Sequence, residues 1–316
     1  MDQPAAHLSR ASANRAPLGF GEFVGLIAGM MALTALGIDS MLPALPAIGD
    51  GLGVAEPNHR QYVITAFLLG FAVAQLAYGP LSDRYGRRPV LTIALAAYVL
   101  TCAIAATSGS FALLLVARAA MGTAAAGARV VTVALVRDCY SGRAMARVMS
   151  LAIIVFMAAP IIAPSFGQGV LLIGSWRLIF WGIAAIGGAV LLWFRIRMPE
   201  TLDPDARQSL RPSRVAADYA LVLRDRAAMG YTIATAALSG GLFGFIGSVQ
   251  QVMEDVFHRP DLLTIVFPAV ASMMALASFL NSRIVMRLGM RPISHSALVG
   301  LVAVAAIHLA VTWSGV

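Results

Sequence analysis

"GPLSDRYGRRP" spans residues 79–89. One acid, three arginines, two glycines and two prolines stand there between two long apolar runs, and what surrounds them decides the fold. The 316-residue chain is 59% hydrophobic and 12% charged, with a mean hydropathy of +0.81. A soluble domain carries roughly 25% charged residues. This composition cannot clothe a globular core in a polar skin, and a bilayer is the solvent that suits it.

A spanning helix needs ~20 apolar residues. Nine segments qualify, over about 20–44, 61–82, 89–108, 110–136, 147–173, 176–198, 228–253, 262–286 and 293–314. Residues 1–17 are polar and read as a loose tail. All 23 basic residues are arginine, and their distribution sets the orientation. With the N-terminus in the cytoplasm, 18 fall on inner segments, Arg60, Arg177 and Arg259 on outer ones, and Arg118 and Arg129 inside the fourth helix. The net charge of +8 is therefore a topology signal and not a nucleic-acid footprint. Cys102 and Cys139 lack metal-ligand spacing, the five histidines are scattered, and no hydrolase, zinc-protease or nucleotide-loop pattern occurs. No enzyme, metal or cofactor is expected.

Residues 199–227 form the only long polar connection. They divide the chain into a six-helix bundle (1–198), a cytoplasmic linker (199–227) and a second helical part (228–316). The opening stretch recurs across that divide. Arg84, Gly86, Arg88 and Pro89 match Arg287, Gly289, Arg291 and Pro292, an offset of 203 residues from Arg84 to Arg287. Glycine permits a tight turn, proline starts the next helix at no hydrogen-bonding cost, and the arginines hold the loop inside. One such loop per bundle is what a duplicated six-helix unit shows.

These residues resemble motif A of the major facilitator superfamily, through Gly79, Asp83, Arg84, Gly86, Arg87 and Arg88. "GIDSMLPALPAIGDGLG" (37–53), the stretch 113–150, "APIIAPSFGQ" (159–168), "GSWRLIFW" (174–181) and "PETL" (199–202) are similar, in order, to bacterial Bcr/CflA-type drug-resistance exporters. The fifth-helix antiporter motif departs from its pattern, reading Ala163-Pro164-Ser165-Phe166-Gly167-Gln168. The second loop copy has Met286 and Ser282 where the first has Asp83 and Gly79. The resemblance implies an all-α polytopic membrane protein with one full six-helix bundle and part of a second. By the repeat offset a second half would end near residue ~400, and a fragment or a shortened relative are both open readings.

The resemblance also implies a function: proton-coupled export of small drug-like or amphipathic molecules across the bacterial inner membrane, by a monomer if complete. Its partners would be a small-molecule substrate, protons and lipid. Import of a small polar metabolite, or no transport at all, are the alternatives. Asp39 on the first helix is costly in a membrane, by ~2.5–3.5 kcal/mol on insertion scales. It reads either as the proton-exchanging group or as a partner or cap before Pro43. Arg118 and Arg129 share a face of the fourth helix ~16 Å apart. Arg118 lies at the depth of Asp39, so an Asp39–Arg118 pair is expected. Arg129 reads as a cavity residue or one that snorkels to the inner surface. Gln250 and Gln251 read as substrate contacts or interfacial amides. The resemblance implies that Asp83 with Arg84, Arg87 and Arg88 latches the cytoplasmic side, with Asp138 as a partner for one arginine. Surface charge that only sets topology is the alternative. Pro160, Pro164 and Gly167 are expected to bend the fifth helix.

Overall fold

The computed structural model describes residues 17–259, 262–288 and 290–314. Most of the expected tail, and Gly289 of the second turn, lie outside them, as do the side chains of Pro160, Arg287 and Arg291. Among the described residues there is no strand.

The first apolar run does not continue to residue 44. Helix α1 (Phe20–Asp39) stops earlier, and a short 3-10 turn (Leu42–Ala44) leads into α2 (Leu45–Gly51). Pro43 has no N–H to offer the carbonyl four residues back, which is that of Asp39, and its ring crowds that carbonyl. The helix therefore ends on the acid. A second 3-10 turn (Pro57–Gln61) precedes α3 (Tyr62–Tyr85), followed by α4 (Arg87–Ala106), α5 (Phe111–Cys139), α6 (Gly142–Ile173) and α7 (Arg177–Arg197). The polar connection carries α8 (Pro212–Arg224). Then come α9 (Arg226–Gln251), a π-helical turn (Val252–Val256), α10 (Leu263–Leu288) and α11 (Met290–Trp313). Local chemistry starts several of these. The Ser110 hydroxyl accepts the Leu113 N–H at the head of α5, and the Asp225 carboxylate accepts the N–H groups of Ala227 and Ala228 at the head of α9.

Among the described residues, seven helical segments are long and apolar enough to cross a membrane. Their packing is centred on α5, which lies between α3 and α4. α4 backs onto α7, and α1 fills the space between α5, α6 and α7. Phe23, Phe67, Tyr98, Met121 and Phe180 are fully buried in this core. The outward faces carry Leu69, Val73, Leu76, Leu172 and Ile196, each more than 60% exposed. Large apolar side chains in such numbers on the outside suit lipid as solvent. The chain forms two compact units, one through Pro268 and one from Ala269, with the division inside α10. In the second, α11 is exposed from Ser294 onward.

Candidate functional site

Four polar side chains are buried on the last turns of α1, just past its end, and on α5. Thr34, Asp39, Ser40 and Arg118 are all less than 5% exposed. Each has one side-chain atom without a hydrogen-bond partner: Thr34 Oγ1, Asp39 Oδ1, Ser40 Oγ and Arg118 Nη2. Buried polar atoms are nearly always satisfied, so these four atoms make the end of α1 and the facing part of α5 the candidate site. α6 closes one side. A Cβ at Gly167 would run into the Ser40 carbonyl and the Pro43 ring, so α6 lies directly against the break. Pro164, also on α6, is buried, and α6 is helical across both proline positions.

The expected Asp39–Arg118 pair is not formed. Arg118 Nε donates to the Val63 carbonyl at 2.9 Å and Nη1 donates to the Gly37 carbonyl at 2.7 Å. The guanidinium sits 4.7 Å from the centre of the Phe67 ring and 5.9 Å from that of Phe180. The helix end explains this. The Met41 N–H goes to Ile38, which leaves the Gly37 carbonyl among the orphans that close a helix. A guanidinium satisfies it, and two ring faces stabilise the charge. Arg118 thus ties α1, α3 and α5 together, while Asp39 keeps a carboxylate oxygen free.

The other predicted cavity residues lie elsewhere. Arg129 lines a cavity of about 700 Å³ at the end of the bundle that carries the Arg-rich turn, with Gln75, Asp83, Arg87, Arg137 and Asp138. Gln250 donates to the Glu254 carboxylate and Gln251 to the Asn58 side-chain oxygen, at the opposite end of the chain's first helices. Neither bonds Asp39 or Arg118.

At the Arg-rich turn the structure brings three predicted residues together. Arg87 Nε donates to Asp138 at 2.9 Å, and its Nη1 donates to Asp83 at 2.5 Å and to Ser82 Oγ at 2.7 Å. Arg87 is buried, Arg84 is exposed, and Arg88 donates to the Arg195 carbonyl at 3.0 Å. A Cβ at Gly79 would meet nothing within 4 Å, whereas Gly86 has φ 101° and abuts the Glu200 carboxylate. Glu200 was missed by sequence reasoning. Its carboxylate accepts the N–H groups of Arg87 and Arg88, at 2.9 and 3.1 Å, and those of Thr201 and Leu202. It caps α4 from 113 residues away. The signal was negative: α4 begins after a glycine that has no side chain to cap with.

A stability prediction follows from this geometry. Arg87→Ala leaves the carboxylates of Asp83 and Asp138 without the cation they share, at about 1–3 kcal/mol. The thermal midpoint in detergent should fall clearly. Arg84→Ala should change stability by less than ~0.5 kcal/mol.

The sequence model of the Major Facilitator Superfamily matches residues 27–316. The chain is 32% identical over 260 residues to the bicyclomycin resistance protein homolog of Haemophilus influenzae, covering 81% of this chain and 65% of that one. It is 30% identical over 224 residues to multidrug resistance protein D of Escherichia coli K12, covering 70% and 55%. The chain therefore spans about two thirds or less of the relatives it matches. A solved bacterial homologue of the human lysosomal transporter Spinster, inward-facing and unoccupied, shares the fold with a TM-score of 0.66 at 15% identity, over 86% of this chain and 64% of that one.

Proposed function

The chain belongs to the Major Facilitator Superfamily, and from that premise we propose that it serves proton-coupled export of small drug-like or amphipathic molecules across a bacterial inner membrane. The observation that carries the reading is the buried, unpaired carboxylate oxygen of Asp39 at the break in α1. A carboxyl group in that position can hold a proton or face a substrate, and it cannot stay charged at low cost with neither. Substrate reaching the site from the cytoplasm displaces the proton of Asp39, which leaves to the cytoplasm. After the bundle reorients, the carboxylate takes a proton from outside and the substrate leaves. Arg118, held by two main-chain carbonyls, keeps the broken end of α1 in place and leaves Asp39 to titrate.

Resistance proteins among the relatives favour export over import. Arginine counting supports a cytoplasmic N-terminus. On that orientation the Arg87–Asp138–Asp83 group lies on the cytoplasmic side, where it serves as the inner latch. Inverted vesicles carrying the protein provide the test. Acidifying the lumen should drive accumulation of a fluorescent lipophilic cation, and collapsing the pH gradient should release it. Accumulation that ignores the gradient would remove proton coupling. Labelling of a cysteine at Arg84 from the outer face of intact cells would overturn the orientation.

A further inference from the structure

The connecting segment holds α3 through main-chain groups that α3 itself leaves unpaired. Pro80 lies inside α3 and has no N–H, so the carbonyl four residues earlier, that of Leu76, lacks its helical donor. The Tyr219 hydroxyl of α8 donates to that carbonyl at 2.5 Å. The Asp83 carbonyl is a second orphan, because the N–H four residues on belongs to Arg87 and goes to Glu200. The Gln208 N–H, just before α8, donates to Asp83 at 3.0 Å. Val215, Tyr219 and Val222 lie at helical spacing along α8 and border a cavity of about 220 Å³ together with Gly79, Pro80 and Asp83. In a membrane helix proline is tolerated where a neighbour re-satisfies the freed carbonyl. Here the neighbour is the segment that sequence alone reads as a cytoplasmic linker.

We propose that the 199–224 connection is a clip on the inner end of α3, and that Tyr219 is its positioning residue, acting through the carbonyl that Pro80 frees. The consequence for transport rests on the exporter reading: the Arg-rich turn can then move only when the clip moves with it. The clip itself needs no transport to be tested.

Trypsin cuts after the exposed residues Arg207 and Arg214. Digestion of the whole chain in detergent, followed by mass spectrometry, reads how often the segment comes away. Tyr219→Phe removes one hydroxyl, and cleavage there should rise about three- to tenfold, the worth of one hydrogen bond. Pro80→Ala supplies the missing N–H to Leu76. In that background Tyr219→Phe should add less than a factor of about two. Three results overturn the clip: no rise for Tyr219→Phe, an equal rise in both backgrounds, or a rise that spreads to arginines outside the segment. A separate reading covers the consequence for transport. In inverted vesicles Tyr219→Phe should lower the maximal accumulation rate and leave the half-saturating concentration unchanged. If the unsubstituted protein accumulates nothing, the exporter reading fails while the cleavage result still decides the clip.

Discussion

Asp39→Asn should reduce proton-driven accumulation to the level of vesicles without the protein, with membrane insertion intact. The side chain is 3% exposed and one oxygen has no partner, so the substitution removes no hydrogen bond that holds the fold. An amide has the same shape but cannot take up or release a proton. Removing an ionisable acid also lowers an insertion cost of ~2.5–3.5 kcal/mol, so folded yield should hold or improve. Exchange of labelled for unlabelled substrate down its own gradient should survive, since it needs no net proton transfer. That split separates loss of coupling from loss of binding. Asp39→Glu keeps the proton but adds a methylene to a closed site, and should retain part of the activity. Full accumulation by the Asn variant would take Asp39 out of the mechanism.

Gly122→Val should be the most damaging substitution for folding among the small residues of α5. A Cβ at Gly122 would overlap the Phe67 carbonyl, and one at Gly70 would overlap the Ala119 carbonyl. The two glycines face each other's helix, so the α3 and α5 backbones touch there. The clashing atoms belong to the main chain, and no side chain can rotate away. The helices must separate, which costs at least about 1–3 kcal/mol for a single overpacked site. Separation also pulls the Val63 carbonyl from Arg118, leaving a buried guanidinium with one of its two main-chain acceptors. Detergent-stable protein should fall at least tenfold by fluorescence-detected size exclusion. Gly79→Ala is the control. It lies on the same α3 with open space around it, and should leave stability level or up to ~1 kcal/mol better. A Gly79→Ala protein that is stable but slow would assign that glycine to movement and not to packing.

The helices were legible because lipid imposes a simple rule: a spanning segment must be long, apolar and internally hydrogen-bonded. The nine predicted runs correspond to α1, α3–α7 and α9–α11 within a few residues. The one clear miss was the end of α1. Pro43 already pointed to Asp39 as the last helical residue, but hydropathy runs straight through the break. The Ala- and Gly-rich composition of α5 is visible in the sequence, and Gly122 shows what the small residues are there for. The Asp39–Arg118 pair failed for a physical reason. Equal depth in a membrane does not choose between a carboxylate and a carbonyl as acceptor. The helix end, with its spare carbonyl, made that choice.

Glu200 and Tyr219 were illegible on the same account. Each answers a main-chain group orphaned in another element: the first N–H groups of α4, and the carbonyl freed by Pro80. Sequence by itself determined that this chain lies in lipid, where its long apolar helices run, and which turn gathers its arginines, because those follow from transfer free energy summed along the chain. Only the tertiary structure decided which buried acid stays unpaired and which residues mend the helix ends. A hydrogen-bond debt left at one point of the chain is settled by whatever packing brings near, and that partner can be more than a hundred residues away.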